Sequence, residues 1–268
     1  MSVAEIEGLV VKAAHVIRTR ASSAWNLVRR ERRCVLCQTI FVHQHAAGNC
    51  PDLFCPACAS ALRRREKGYC PRCGELAAWP DLPNAPCLRC CQSPPPWEQF
   101  LFHAEHEGLL RRTLIRLKFH ESPVLGHALG MLLAGHPHIA EIRADCVMPV
   151  PLHQQRLVHR GYNQSLELAR PVSRTLGLPL NPQGLLRIRP TNPQTGASLK
   201  ERHRNIRGAF KAGQKIRGKK VLLVDDTITT GATLRAASQA LLDGGAVAVS
   251  VMVVSRTPRY YSSQHSGR

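Results

Sequence analysis

Beyond residue 100 the chain alternates short, continuous apolar runs with segments whose apolar positions recur every three or four residues. "LLRRTLIRLKF" (109–119) has the helical period, and "HALGMLLAG" (127–135) reads as a second short helix. "DCVMPVP" (145–151) reads as a buried strand and "NQSLELARPVSRTLG" (163–177) as a helix. Pro171 conflicts with that helix at a cost of roughly 3 kcal/mol, so a kink or a restart is expected there. "GLLRIR" (184–189) predicts a strand, "SLKERHRNI" (198–206) a short helix and "KKVLLVD" (219–225) a strand. "GATLRAASQALLDGG" (231–245) is a helix closed by glycines, and "AVAVSVMVVS" (246–255) a final strand. Unbroken Val/Leu strands separated by helices predict an α/β fold with a parallel sheet covered on both faces. At the other end of the chain, Ile6, Val10, Ala13 and Ile17 form one stripe of an amphipathic helix.

Between these regions the pattern is set by cysteine instead of by hydrophobic period. Ten of the eleven cysteines fall between residues 34 and 91, eight of them as four knuckles: "CVLC" (34–37), "CPAC" (55–58), "CPRC" (70–73) and "CLRC" (87–90). A Cys-x-x-Cys turn presents two sulfurs to one metal, and two turns complete a tetrahedral structural zinc site. The spacings pair Cys34, Cys37, Cys55 and Cys58 at one site and Cys70, Cys73, Cys87 and Cys90 at the other, in effect a duplicated ribbon. A redox dithiol accounts for one knuckle and not for four. Four protein ligands leave no open position for water, so both sites are structural. Cys50, Cys91, His43 and His45 are surplus and read as bystanders. "SPPPW" (93–97) then makes a stiff boundary.

Charge adds a partner class. The formal net charge is +19, and the stretch 187–220 holds eleven Lys or Arg against one acid, Glu201. Such an excess favours polyanions, phosphates or nucleic acid, but charge alone does not separate that from a solubilising role, and its distribution is the more informative feature. No apolar run reaches the ~20 residues that span a bilayer, so no membrane span is expected. The first twenty residues lack the pattern of a secretory signal, and many thiols without one point to metal thiolates in a cytoplasmic protein.

Within this basic chain, "VLLVDDTITTGATL" (221–234) sets Asp225 beside Asp226 directly after four apolar residues. Adjacent buried carboxylates repel unless a cation or hydroxyls sit between them. The N-terminus of the following helix offers unpaired N–H groups to a phosphate. Thr227, Thr229, Thr230 and Thr233 add hydroxyls, while Gly231 and Ala232 let the backbone approach closely. The acids then lie near the sugar hydroxyls of a phosphorylated sugar, or meet a divalent cation such as magnesium. Because neighbours on a strand face opposite ways, both acids reach one ligand only if the strand has become loop by Asp226. Arg156 and Arg160, with Asn163 and Gln164 in the turn after them, follow a strand end, where open α/β sheets bind ligands. Both arginines suit pyrophosphate oxygens. Lys200, Arg202 and Arg204 alternate along a short helix or hood; Lys200 and Arg204 are the candidates to close over the pyrophosphate, with Gln194 and Asn205 nearby.

The run of four apolar residues, Asp-Asp, Thr-Thr-Gly and Thr resembles the phosphoribosyl-pyrophosphate (PRPP) loop of type I phosphoribosyltransferases. The resemblance implies that Asp225 and Asp226 contact the ribose hydroxyls as the catalytic pair and that the 229–233 turn cradles the 5′-phosphate. Members acting on 6-oxopurines commonly carry an Asp where this chain has Thr229, which argues against hypoxanthine or guanine salvage. Together with "VPLHQQRLVHRGYNQS" (150–165), "RPTNPQTGASLKERHRNIRGAF" (189–210) and the double ribbon, the chain is similar to the ComF family of competence proteins.

That resemblance implies a parallel-sheet phosphoribosyltransferase domain preceded by a small Cys-rich zinc-ribbon domain. The expected organisation is a helical extension (1–33), the double zinc ribbon (34–93), the transferase-like domain (94–257) and a polar tail (258–268). It implies PRPP and Mg as ligands, two structural Zn ions, single-stranded DNA and competence-machinery proteins as partners, and a role in using internalised DNA. The competing expectations are a metabolic phosphoribosyltransferase acting on a small base or amine, and a PRPP-sensing regulator without turnover. Glutamine-dependent chemistry is not expected, because no N-terminal catalytic cysteine or glutaminase half is present.

Overall fold

The computed structural model describes residues 31–42, 52–119, 122–190, 206 and 208–258. The expected N-terminal amphipathic helix, His43, His45, Cys50, the helix expected at 198–206 except Ile206, and the expected hood residues Gln194, Lys200, Arg202, Arg204 and Asn205 lie outside them.

The first cysteine ribbon consists of β1 (Glu31–Arg33) paired antiparallel with β2 (Ile40–Val42), followed by α1 (Pro56–Ala61). The second has α2 (Leu88–Gln92) at its end. There follow β3 (Gln99–Glu105), α3 (Gly108–Phe119), α4 (Pro123–Ala134), β4 (Cys146–Pro149), α5 (Gln154–Arg160) and α6 (Gln164–Leu176). A hairpin of β5 (Leu185–Arg187) and β6 (Phe210–Ala212) precedes β7 (Lys220–Ile228), α7 (Ala232–Asp243) and β8 (Ala248–Arg256). Four strands form one wholly parallel sheet in the order β3-β8-β7-β4.

Successive strand residues face opposite sides, and the two cores follow from that. Val221 and Leu223 join Val249, Val251, Val253 and Leu234 of α7 on one face. Leu222 and Val224 join Met252, Val254 and residues of α3, α4 and α6 on the other. Each ribbon is built into a different face. Cys70, Cys73 and Cys90 belong to the α7-side cluster, and Cys34, Cys55 and Cys58 to the α3-side cluster. The expected parallel sheet covered on both faces is therefore present, with the ribbons as part of the cover.

In the half beyond the cysteines, β3, α5 and the short β6 are elements that the sequence pattern does not predict, as are the short strands and helices of the ribbons. β3 is an edge strand whose polar residues break a simple apolar run, although Phe100 and Phe102 point into the core. None of the residues of α5 is buried, so it carries no hydrophobic period to read. The helix at Pro171 neither stops nor restarts: α6 is continuous from its Asn163 cap to a left-handed Gly177. Pro171 is buried against Gly130 of α4, where an added Cβ would lie 2.9 Å from the proline ring and 2.7 Å from the Leu168 carbonyl. Close helix packing thus occupies the position where the proline interrupts the hydrogen-bond ladder.

Candidate functional site

β4 stops at Pro149, opposite Val224. Beyond that point β7 keeps β8 as a neighbour on one side only, its partners continuing to Ile228 opposite Arg256. A cavity of about 450 Å³ opens in the space β4 vacates, at the carboxyl ends of the strands. This explains how both acids reach one ligand although the strand has not become loop at Asp226, contrary to expectation: β7 continues to Ile228, but its open edge exposes both carboxylates to the same cavity.

The repulsion between the acids has specific remedies. Asp225 and Asp226 are only 9% and 5% exposed. Lys118 Nζ, from the last turn of α3, lies 3.1 Å from one Asp226 oxygen, and Gln164 Nε2 donates to the other at 3.1 Å. One Asp225 oxygen accepts from the Ser165 hydroxyl at 2.8 Å and from the Asp226 amide at 2.9 Å. Asn163 places Gln164 and Ser165. Its side chain caps α6 by accepting from the Ser165 amide, and donates to the Val150 carbonyl. It does not line the cavity.

The following turn is equally ordered. Gly231 has φ +79°, a left-handed conformation that favours glycine, and it caps α7. The Thr230 hydroxyl accepts from the Ala232 amide at 3.2 Å. Thr227, Thr229, Thr230, Ala232 and Thr233 line the cavity, while Gly231 lines a smaller space behind the turn. Arg156 and Arg160 line the opposite wall with Arg187 of β5. Arg160 donates to Gln164 Oε1 at 2.7 Å, so a chain of hydrogen bonds runs from Arg160 through Gln164 to Asp226. Burial, with Arg160 beside it, lowers the Arg156 pKa; burial, then Arg156, lowers that of Arg187. The wall is therefore positively charged and partly desolvated.

Sequence reasoning missed Lys118, Ser165, Arg187 and His106. Lys118 is next to last in "LLRRTLIRLKF", where only the helical period stands out; the need for a cation beside the acids is the one signal in the sequence that bears on it. His106 also lines the cavity, with Nδ1 3.0 Å from the Ser255 hydroxyl, which in turn reaches Thr227 at 3.1 Å. Burial, then Lys118, pushes its pKa down to about 4, leaving a neutral imidazole at neutral pH.

Burial, and secondly Asp226, pushes the Asp225 carboxyl up to about 7, against the opposing effect of its hydrogen bonds and Lys118. In the unfolded chain the group titrates near its ordinary value of about 4. Between those values the folded chain holds the extra proton, so this group's contribution to stability is full below about pH 4 and is lost as pH rises through about 7. Asp225→Asn keeps an oxygen for Ser165 and the Asp226 amide. The ligand-free variant should therefore melt above the unsubstituted protein at pH 8, by about 2–4 °C per kcal/mol recovered. The gap should open between about pH 4 and 7 and then stay constant, which thermal unfolding across a pH series measures. A gap independent of pH would contradict it.

The cysteines group as the spacing predicts. In each set, Cys34, Cys37, Cys55 and Cys58, or Cys70, Cys73, Cys87 and Cys90, the four sulfurs lie within 4.8 Å of one another. Cys37 and Cys55 sulfurs are 3.6 Å apart, and Cys73 and Cys87 sulfurs 3.8 Å. Tetrahedral Zn–S bonds of about 2.3 Å require sulfurs about 3.8 Å apart, so both sets fit a zinc ion. Left-handed Gln38 and Gly74 follow the first knuckle of each ribbon and turn the chain sharply there. Cys91 is exposed outside either set, as Cys146 is buried outside them.

A parallel sheet with an acid pair and a hydroxyl turn at its carboxyl edge defines a phosphoribosyltransferase-type protein, and residues 163–265 match the phosphoribosyl transferase domain family. The chain is 36% identical over 208 residues to DNA utilization protein YhgH of Salmonella typhimurium, covering 76% of this chain and 90% of that protein. It is 29% identical over 234 residues to competence protein F of Haemophilus influenzae, covering 84% and 96%. Among solved structures, a glutamine PRPP amidotransferase from B. subtilis complexed with ADP and GMP is 27% identical with a TM-score of 0.35; the match spans 50% of this chain and 26% of that one. The chain belongs to the ComF family of competence and DNA-utilisation proteins. Among the described residues no helix is long and apolar enough to cross a membrane.

Proposed function

We propose that the cavity binds PRPP together with Mg and that the protein serves the use of DNA taken up or degraded by the cell. One observation supports the first part most strongly: two carboxylates, a threonine-rich helix N-terminus and three arginines line the same 450 Å³ space. A ribose offers hydroxyls that Asp225 and Asp226 can accept from, and its 5′-phosphate suits the turn before α7. The pyrophosphate suits Arg156, Arg160 and Arg187. Asp225 and Asp226 are the residues that would hold Mg or its waters, and the ion when bound would offset the negative charge of the pyrophosphate. Four cations line the cavity against two acids, which supports a polyanionic ligand.

If group transfer occurs, the chain would act by holding the ribose and stabilising departing pyrophosphate, without a covalent nucleophile. Pyrophosphate release from PRPP, screened against bases, amines and single-stranded DNA ends as acceptors, decides whether turnover accompanies binding. The DNA-related role rests on the names of the relatives and on the basic chain. Single-stranded DNA is expected to bind in fluorescence anisotropy with an affinity that falls steeply as salt rises. No binding at low salt would remove DNA itself as the partner and leave a nucleotide-derived acceptor. The same reading gives two structural Zn ions to the ribbons.

A further inference from the structure

The turn before α7 does not hold its shape alone. Its carbonyls, turned away from the cavity, are fixed from behind. Arg256 Nη1, at the end of β8, donates to the Thr229 carbonyl at 2.7 Å. Its Nη2 contacts Glu75 of the second ribbon at 2.5 Å. This arginine is 2% exposed, so the pair is screened little by solvent. From the same ribbon, Arg89 Nη2 reaches the Thr230 carbonyl at 3.4 Å. Cys73 and Cys90 line the small space behind the turn together with Thr230, Gly231 and Arg256. Trp97 closes it, its indole N–H donating to the Arg72 carbonyl inside the knuckle at 2.7 Å. Arg235 of α7 lies over the Trp97 ring and donates to the Ser93 and Pro94 carbonyls. The first ribbon packs on α3 instead, through Arg116 to the Leu36 carbonyl.

We propose that the second cysteine ribbon braces the phosphate turn, with Glu75, Arg89 and Arg256 as positioning residues, so that metal held by Cys70, Cys73, Cys87 and Cys90 and a sugar phosphate held by the turn favour each other. The proposal deepens the PRPP reading and rests on it for the identity of the ligand. The physical reason is directional. With the carbonyls of Thr229 and Thr230 engaged by cations behind the turn, the backbone N–H groups are left to the cavity side, and the ordering cost is met before the ligand arrives. Coupling between two sites is reciprocal: if the ribbon orders the turn for its ligand, the ligand retards loss of metal from the ribbon.

Two variants and two readouts test this. Arg256→Lys keeps the charge but has no fork to reach Glu75 and Thr229 together. Glu75→Gln keeps the size and removes the charge, and serves if the first variant does not fold. Hydrogen exchange of the full zinc-loaded chain without ligand should quicken across 229–233 in either variant, while exchange in α4 and α6 is unchanged. Titration with PRPP and Mg should show affinity about tenfold weaker, within the span of ordinary coupling between linked sites. In the unsubstituted protein, PRPP should slow release to a chromophoric chelator of one zinc and not of the other. Unaltered exchange at 229–233, with PRPP bound as tightly as before, would overturn the bracing proposal and leave the PRPP reading intact. Faster exchange in the variants of a protein that does not bind PRPP would uphold the brace and sink the ligand instead.

Discussion

Replacing Cys55 and Cys58 together by serine should leave the protein with one zinc per chain and an unfolded first ribbon. That ribbon has two three-residue strands and a six-residue helix, too little to bury a core of its own. Its buried side chains are Cys34, Leu36, Phe54, Cys55, Cys58 and Leu62, half of them metal ligands. Structural zinc contributes on the order of 10–16 kcal/mol of apparent folding free energy in comparable small units, far beyond what three apolar side chains replace. Losing it should uncover apolar surface of α3, against which α1 packs in a shared buried cluster. The variant should therefore also bind a hydrophobic dye and aggregate. Metal analysis of the folded fraction gives the first readout and dye fluorescence the second. A variant that retains two zinc ions, or loses one without exposing apolar surface, would contradict the arrangement.

The second large effect concerns the acids. Asp225→Asn and Asp226→Asn should each weaken PRPP binding by about 10- to 100-fold, the loss of one charge-assisted hydrogen-bonding group. The two should not be equivalent. Asp226→Asn frees Lys118 from its 3.1 Å partner and adds an unopposed cation to the cavity. Inorganic pyrophosphate, which lacks the ribose, should then bind that variant at least as well as the unsubstituted protein. Asp225→Asn breaks no direct ion pair, acting on Lys118 and Arg187 only at longer range, and should change pyrophosphate binding less than Asp226→Asn does. Calorimetric titration of both variants with PRPP and with pyrophosphate separates these outcomes. Equal losses for both ligands would place the acids on the pyrophosphate and not on the sugar.

What the sequence shows and what it hides divide along physical lines. The strands at β7 and β8 and the helices α6 and α7 are legible because burial on both sheet faces forces unbroken apolar runs and a clear helical period. The two cysteine sets are legible because ligand spacing is a local constraint. β3 and α5 are hidden for opposite reasons, one an edge strand with mixed residues and the other a helix with no buried side. In the site, Asp225, Asp226 and the threonine turn lie within one contiguous segment, and Arg156 and Arg160 within another. Lys118 of α3, Arg187 of β5 and His106 of the turn after β3 come from three further segments, and only the fold brings them to the same cavity. Asn163, chosen as a ligand group, instead serves as the cap that places Ser165 and Gln164 against the acids. Arg256 is hidden deepest. It is the last residue of a uniformly buried strand and carries no motif, yet it links the turn to Glu75, 181 residues earlier.

The central claim, that a ribose phosphate with its pyrophosphate fills the cavity over the paired aspartates, is tested most directly by calorimetry of the zinc-loaded chain with PRPP and Mg. Saturable binding at one site per chain, abolished or much reduced in the double Asp225→Asn, Asp226→Asn variant, is the predicted result. A folded, zinc-loaded protein that evolves no binding heat with millimolar PRPP at several temperatures would contradict it.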